Sequence, residues 1–381
     1  MIFSRKFHGK ILFIYEKSIA FFYNVAILIF RIQMKGFFMK TRSLFGKKYI
    51  DLQIRELEIP ALMPDQVLVK VHACGVCGTD LNFVRDWSGD YQGLGHEIAG
   101  EIIDTGSIVS TLKKGDKVVV EDCTMCGKCA DCKAGHPEFC RNMYNMNGFP
   151  GMGEYIVVNA AACTVFDGLD YIHAALTEPL AVAYNAVLTA DIPLGGSVVV
   201  LGPGAIGLLC AKVARLRGAG YVAVVGRNDS TPEQQARLEL AVKLGCDQVI
   251  VSARESVRDT VLKRFPQGVD RVIVTSPPKS MYDAFDIIRY GGGIIYLGLS
   301  FKEGENIIDF DVNRAIFNKI TLKPSFAEPA INFPAALDLI KNGLIPAELF
   351  QTHTCSFDDC HELFEATLKG TVPVIKPVFC P

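Results

Sequence analysis

Residues 195–229 read GGSVVVLGPGAIGLLCAKVARLRGAGYVAVVGRND, and the fold turns on them. Val198 to Leu201 is a short apolar run bounded by glycines, which predicts a strand buried on both faces. Gly202, Gly204 and Gly207 follow as G-x-G-x-x-G. Ala205 to Arg217 then carries apolar residues at helical spacing, and Val222 to Val225 is a second buried strand. Together they make a β-α-β unit. The first two glycines let the backbone turn tightly and approach a pyrophosphate. The third lets the helix pack closely on the strand, and the helix N-terminus at Ala205 and Ile206 faces the anion. A glycine pattern alone is weak, but correct strand and helix flanks make it a dinucleotide site.

The end of the second strand sets the cofactor type. NAD-specific sites place Asp or Glu there for the ribose 2′-hydroxyl; this chain has Gly226 followed by Arg227. No carboxylate at that place repels a 2′-phosphate, and a guanidinium binds one with paired hydrogen bonds. Asn228 and Ser230 add polar groups. The expectation is NADP(H) in preference to NAD(H). The alternative is that Arg227 is a solvated loop cation and Asp229 serves NAD.

Upstream, thiols dominate. Seven of the 13 Cys lie between Cys74 and Cys140, and no convincing secretion signal precedes them. Such spacing points to metal in a reducing compartment, the cytoplasm, rather than to disulfides. Cys126, Cys129, Cys132 and Cys140 form C-x2-C-x2-C-x7-C. Four thiolates close a tetrahedron around zinc and leave no open position, so this ion is structural. Cys123, just outside the set, reads as a bystander. A second constellation is incomplete in a useful way. Cys77 lies in HACGVCGTD (72–80), His96 in GHE (95–97), and Glu178 in TEP (177–179). A thiolate, an imidazole and a carboxylate hold zinc with a fourth position free for water or substrate. Each piece alone has a bland reading, as a core thiol or a helix's acidic first turn.

The rest of the chain fits a globular enzyme. It has 381 residues, 50% hydrophobic and 21% charged, with 39 basic and 41 acidic side chains. That composition excludes disorder, and the near balance of charge excludes a protein that coats nucleic acid. Residues 1–38 hold six Lys/Arg and one acid, so the remainder carries 33 basic and 40 acidic residues, a net charge of −7. The apolar run Ser18–Phe30 is shorter than the roughly 20 residues a bilayer span needs. The favoured reading is an over-extended start, with translation beginning at Met39. A membrane anchor or a soluble extension are the alternatives.

CGVCGTD, GHEIAGEI, KKGDKVVV, the four-cysteine loop, GMGEYIVV, TEPLAVAYNAV and LGPGAIG, taken together, resemble the zinc-containing medium-chain dehydrogenases/reductases of the alcohol dehydrogenase superfamily. The polyol (sorbitol-like) and threonine dehydrogenase branch is the best match. The resemblance runs from about Met39 to Pro381. It implies an α/β chain with a GroES-like β-barrel catalytic domain at 39–182, a doubly wound Rossmann domain at 183–322, and a return to the catalytic domain at 323–381. It implies Cys77 and His96 as ligands of a catalytic zinc, Glu178 as a direct or water-bridged ligand, and Glu97 as an exchanging one. It makes Asp80 the acceptor that orients the His96 ring, and Thr79 a proton relay. Two zinc ions per chain and a homodimer or homotetramer are expected, the common mode being edge-strand pairing of Rossmann sheets. One departure stands out: many relatives end the relay in a His five residues after the ligand Cys, where this chain has Asn82, so the proton path is expected to use water or the cofactor ribose, or else Glu97 is the base.

The function so implied is hydride transfer between a secondary alcohol (a polyol, sugar or related hydroxy compound) and the nicotinamide. Threonine-type or simple alcohol oxidation are alternatives within that class. A catalytically silent nucleotide-binding protein with only the structural zinc is the alternative outside it. No nucleic acid partner is expected, and a membrane partner only if residues 1–38 are retained.

Overall fold

Six strands form one parallel sheet. In spatial order they are Gln248–Val251, Tyr221–Gly226, Ser197–Leu201, Val269–Val274, Ile288–Tyr296 and Thr321–Pro324. Every pairing is parallel. Numbered along the chain this is the order 3-2-1-4-5-6, the doubly wound arrangement with its switch point beside Ser197–Leu201. Alternation within that strand divides two cores. Val198 and Val200 pack with Leu208, Leu209 and Val213 of the helix Ala205–Leu216. Val199 and Leu201 pack with Val261 and Ala284 of the helices Val257–Arg264 and Met281–Ile287. Each such fully buried aliphatic side chain contributes about 1.5–3 kcal/mol.

The computed structural model describes residues 39–300 and 302–381. The start-site, anchor and extension readings of residues 1–38 lie outside the described residues. Thr41–Glu56 with Ala61–Pro381 forms one compact unit. Among the described residues no helix is long and apolar enough to cross a membrane.

An antiparallel sheet precedes the parallel one. Its central strand, Gln66–Gly75, pairs with Glu97–Thr105 on one side and Tyr155–Asn159 on the other. Lys117–Val120 extends the sheet beyond Glu97–Thr105. The chain's end returns here: Pro377–Phe379 lies antiparallel to the tip of Gln66–Gly75, with Val378 opposite Gly75. A 14-residue helix, Thr177–Ala190, joins the two halves. It buries Leu180, Ala183 and Val187 in the core that also holds Val198 and Leu208. The boundary expected at Val182/Ala183 therefore falls inside a continuous helix. That helix carries Glu178 in its first turn and anchors it on the parallel-sheet half.

Candidate active site and metal centres

Cys77 stands where the strand Gln66–Gly75 leaves its sheet. It caps the short helix Gly78–Asn82, its sulfur accepting the Thr79 N–H at 3.4 Å while Asp80 Oδ2 accepts the Cys77 N–H at 3.0 Å. This capping box fixes the thiol's direction. Glu97 opens the neighbouring strand directly opposite Gly75. A Cβ on Gly75 would lie 2.0 Å from Glu97 Oε2, so only glycine leaves room for the carboxylate. Cys77, His96 and Glu97 each place one donor atom within 4.8 Å of the others. Glu178 is not in that set but lines the same cavity, as does Thr79.

Charge shows what the set fits. Burial alone would lower His96, yet the Cys77 sulfur, Asp80 and Glu178 outweigh it and raise its pKa well above the usual imidazole value. Burial pushes Glu178 up to about 8, with His96 opposing and Glu97 and Asp122 adding to the rise. Thiol, imidazole and carboxylates crowded in this way are a donor set that fits a divalent cation. Glu97 has a further commitment that the sequence did not reveal. Its Oε1 accepts from Lys376 Nζ at 2.6 Å, with side-chain exposures of 1% and 4%. Lys376 also donates to the Val76 carbonyl at 3.1 Å. Glu97 Oε2 is buried without a partner among the described residues.

Asp80 does not bond the His96 ring as expected. Its oxygens are taken by the backbone N–H groups of Cys77 and Gly95, both at 3.0 Å. Helix capping wins over the ring, so Asp80 ties the loop that carries Cys77 to the one that carries His96 rather than holding one side chain.

The four-cysteine loop closes on itself. Cys126, Cys129, Cys132 and Cys140 each offer sulfur within 4.8 Å of the others. The Cys129 N–H points at Cys126 Sγ (3.3 Å) and the Cys126 N–H at Cys140 Sγ (3.4 Å). The Lys128 N–H, with that of Cys129, lowers Cys126 to about 6, while desolvation and neighbouring thiols push Cys132 up to about 12. Four thiols this close ionise together only around a cation, which fits zinc. Cys123 stands outside this group. Its thiol is instead beside Asp122 and Glu328, and burial with those two carboxylates pushes it up to about 12.

A cavity of about 620 Å³ runs from Cys77, His96 and Glu178 to Gly204, Ala205, Ile206 and Gly207. Asn82 and Trp87 line it, whereas Tyr91 and Phe149 do not. Tyr91 stacks under Arg55, and Phe149 packs on the antiparallel core. The glycine turn has the form a pyrophosphate needs. Gly202 has φ +110°, Gly204 faces open space, and a Cβ on Gly207 would lie 1.9 Å from the Gly202 carbonyl. Gly202, Gly226 and Arg227 do not line the cavity; Gly226 is buried under Leu238 and Arg227 is exposed at the strand end. Asp229 is bound to Arg254 at 2.5 Å. Arg237 is a lining residue that sequence reasoning missed. Its Nε is buried without a partner among the described residues, while its Nη2 pairs with Glu233.

Comparison with known proteins agrees with this architecture. The family described as Alcohol dehydrogenase GroES-like domain matches residues 63–167, and that described as Zinc-binding dehydrogenase matches 205–342. Sorbitol dehydrogenase of Bacillus subtilis is 29% identical over 343 residues, covering 87% of this chain and 94% of that protein. L-threonine 3-dehydrogenase of Rhizobium johnstonii is 30% identical over 341 residues, covering 85% and 94%. A proposed zinc-binding dehydrogenase from Sinorhizobium meliloti 1021, solved with NADP, superimposes with a TM-score of 0.79 at 27% identity, covering 90% of this chain and all of that one.

Proposed function

From the premise that this chain belongs to the zinc-containing alcohol dehydrogenase family, in its polyol and threonine dehydrogenase branch, we propose how its residues divide the work. The chain is an oxidoreductase that moves hydride between a secondary alcohol and a nicotinamide cofactor. The observation that carries the assignment of residues is one cavity lined by both the Cys77–His96 donors and the Gly204–Gly207 turn.

Cys77, His96 and Glu178 would hold the catalytic zinc. Glu97 has one oxygen committed to Lys376 and serves as the exchanging donor, whereas Glu178 has no ion-pair partner among the described residues. When bound, zinc supplies Lewis acidity at the substrate oxygen. The Thr79 hydroxyl takes the substrate's proton and passes it on. Asn82 cannot titrate, so the path continues through water or the cofactor ribose. Trp87 and Leu81 keep the reacting carbon out of bulk water. The second zinc belongs to Cys126, Cys129, Cys132 and Cys140 and holds their loop in shape.

NADP(H) is the proposed cofactor. Gly226 offers no carboxylate, Arg227 is exposed at the strand end, and Asp229 is neutralised by Arg254. Arg227→Ala is expected to cost about tenfold or more in kcat/KM for NADP(H) and little for NAD(H). A wild-type preference for NAD(H) in steady-state kinetics would overturn the assignment. The activity itself is tested by a panel of polyols, aldoses and simple alcohols with both cofactors on zinc-replete protein. No turnover anywhere would return the chain to the silent nucleotide-binding reading.

A further inference from the structure

We propose that Asn185 is a positioning residue for the hydride step. From the helix that carries Glu178 it clamps both ends of segment 325–332, and that segment holds the nicotinamide ring in place beside the zinc donors. The inference deepens the dehydrogenase reading and rests on it. Glu178 and Val182 line the catalytic cavity, and Asn185 continues the same side of the helix Thr177–Ala190 at i, i+4, i+7 spacing. Seven residues span about 10 Å of helix axis. Leu180, Ala183 and Val187 bury the opposite side in the core, so the helix is a rigid platform.

Three side-chain bonds make the clamp. Asn185 Nδ2 donates to Ser325 Oγ at 3.1 Å and to the Phe326 carbonyl at 3.3 Å, and Asn185 Oδ1 accepts from Asn332 Nδ2 at 3.4 Å. A carbonyl only accepts, so Phe326 fixes which way the Asn185 amide faces. Elsewhere the backbone ties the segment, the Ser325 N–H donating to the Tyr296 carbonyl at 2.9 Å and the Ala330 N–H to the Cys123 carbonyl at 3.2 Å. Between those ties, the bond to Asn185 is the only hydrogen bond Phe326 makes among the described residues.

The segment starts where the edge strand Thr321–Pro324 ends, at the carboxyl ends of the parallel strands, the side on which such sheets bind ligands. Ser325, Phe326, Ala327 and Ala330 line the cavity that also holds the glycine turn and the Cys77 and His96 donors. A cofactor whose pyrophosphate rests on that turn lays its nicotinamide along this cavity toward the donors. Phe326 lines the cavity yet is 68% exposed, an apolar surface left open to a flat ring. Hydride transfer needs the reacting atoms held about 3–3.5 Å apart. One helix bears both Glu178, on the side of the metal, and the clamp on the wall beside the ring. It thereby sets the spacing between the two.

The test separates the two halves of the cofactor and needs no alcohol. Binding to the zinc-loaded full chain is measured by calorimetry for NADPH and for 2′-phospho-ADP-ribose, which lacks the nicotinamide. NADH and ADP-ribose replace them if the wild type prefers NAD(H). Asn185→Ala removes all three bonds and keeps a strong helix former in the helix. It is expected to bind the reduced cofactor about tenfold more weakly and the truncated analogue within about twofold of wild type. Equal weakening of both ligands, the result of a general loss of structure, overturns the proposal. So does reduced-cofactor binding within about twofold of wild type. If Asn185→Ala does not fold, Ser325→Ala takes its place, since it removes the acceptor of the shorter bond. A loss of about threefold confined to the reduced cofactor is then expected, and its absence overturns the proposal. A wild type that binds neither NADPH nor NADH brings down the dehydrogenase reading and the proposal with it, whereas normal wild-type binding without the split brings down the proposal alone.

Discussion

Cys77→Ser is expected to lower kcat/KM by about a thousandfold or more while leaving the fold intact and reducing bound zinc from two ions per chain to one. A thousandfold is about 4 kcal/mol of transition-state stabilisation, the scale a lost Lewis acid accounts for. Serine separates chemistry from structure at this position. Cys77 caps the helix Gly78–Asn82 through its side chain, and serine is among the best capping residues. The helix, the Asp80 bonds and the path of the loop therefore persist, while the neutral hydroxyl is a far poorer zinc ligand than a thiolate. The remaining ion stays with Cys126, Cys129, Cys132 and Cys140. Metal analysis and steady-state kinetics on the same preparation check both halves. Activity within fivefold of wild type, or retention of both ions, would sink the assignment of Cys77.

What could be read in the sequence was local. The glycine turn, its flanking strand and helix, and the four-cysteine loop are short-range patterns whose geometry follows from spacing, and all form as read. The pieces of the catalytic donor set were also legible, because each sits at a strand end or helix start with its own motif. What escaped was long-range or depended on competition. Lys376 meets Glu97 across 279 positions of chain, and no local pattern marks a lysine that is to be buried. Asp122 and Glu328 are brought together by a hydrogen bond from Ala330 to Cys123, so the two acids meet only after the chain has folded back. Cys123 stands outside the four thiols as read, and its neighbours Asp122 and Glu328 are what the sequence did not show. Asp80 was misread for a different reason: it had two suitable partners, and the nearby helix N-terminus supplied the stronger geometry.

The same buried pair sets the second large effect. Lys376→Met removes the only cation bonded to Glu97 among the described residues, where the Glu97 side chain is 1% exposed and its other oxygen already lacks a partner. A buried ion pair contributes little net stability, because desolving two charges offsets their attraction; breaking one by removing a partner costs about 3–5 kcal/mol. The single variant is therefore expected to unfold at markedly lower urea concentration. Glu97→Gln added to it should recover most of the loss, since a neutral amide is far cheaper to bury than an unpaired carboxylate. Urea unfolding of wild type, single and double variants gives the comparison. A single variant within about 1 kcal/mol of wild type, or a double variant no better than the single, would show that Glu97 is neutralised by something else. The pH dependence has a fixed sign. Burial would lower Lys376, but Glu97 and Cys77 outweigh it and raise its pKa above the ordinary 10.5. Its contribution is thus complete below that pH and fades only as pH rises through the higher folded-state value. Lys376→Met should flatten this alkaline loss, and a wild-type stability indifferent to strong alkali would argue against the pair.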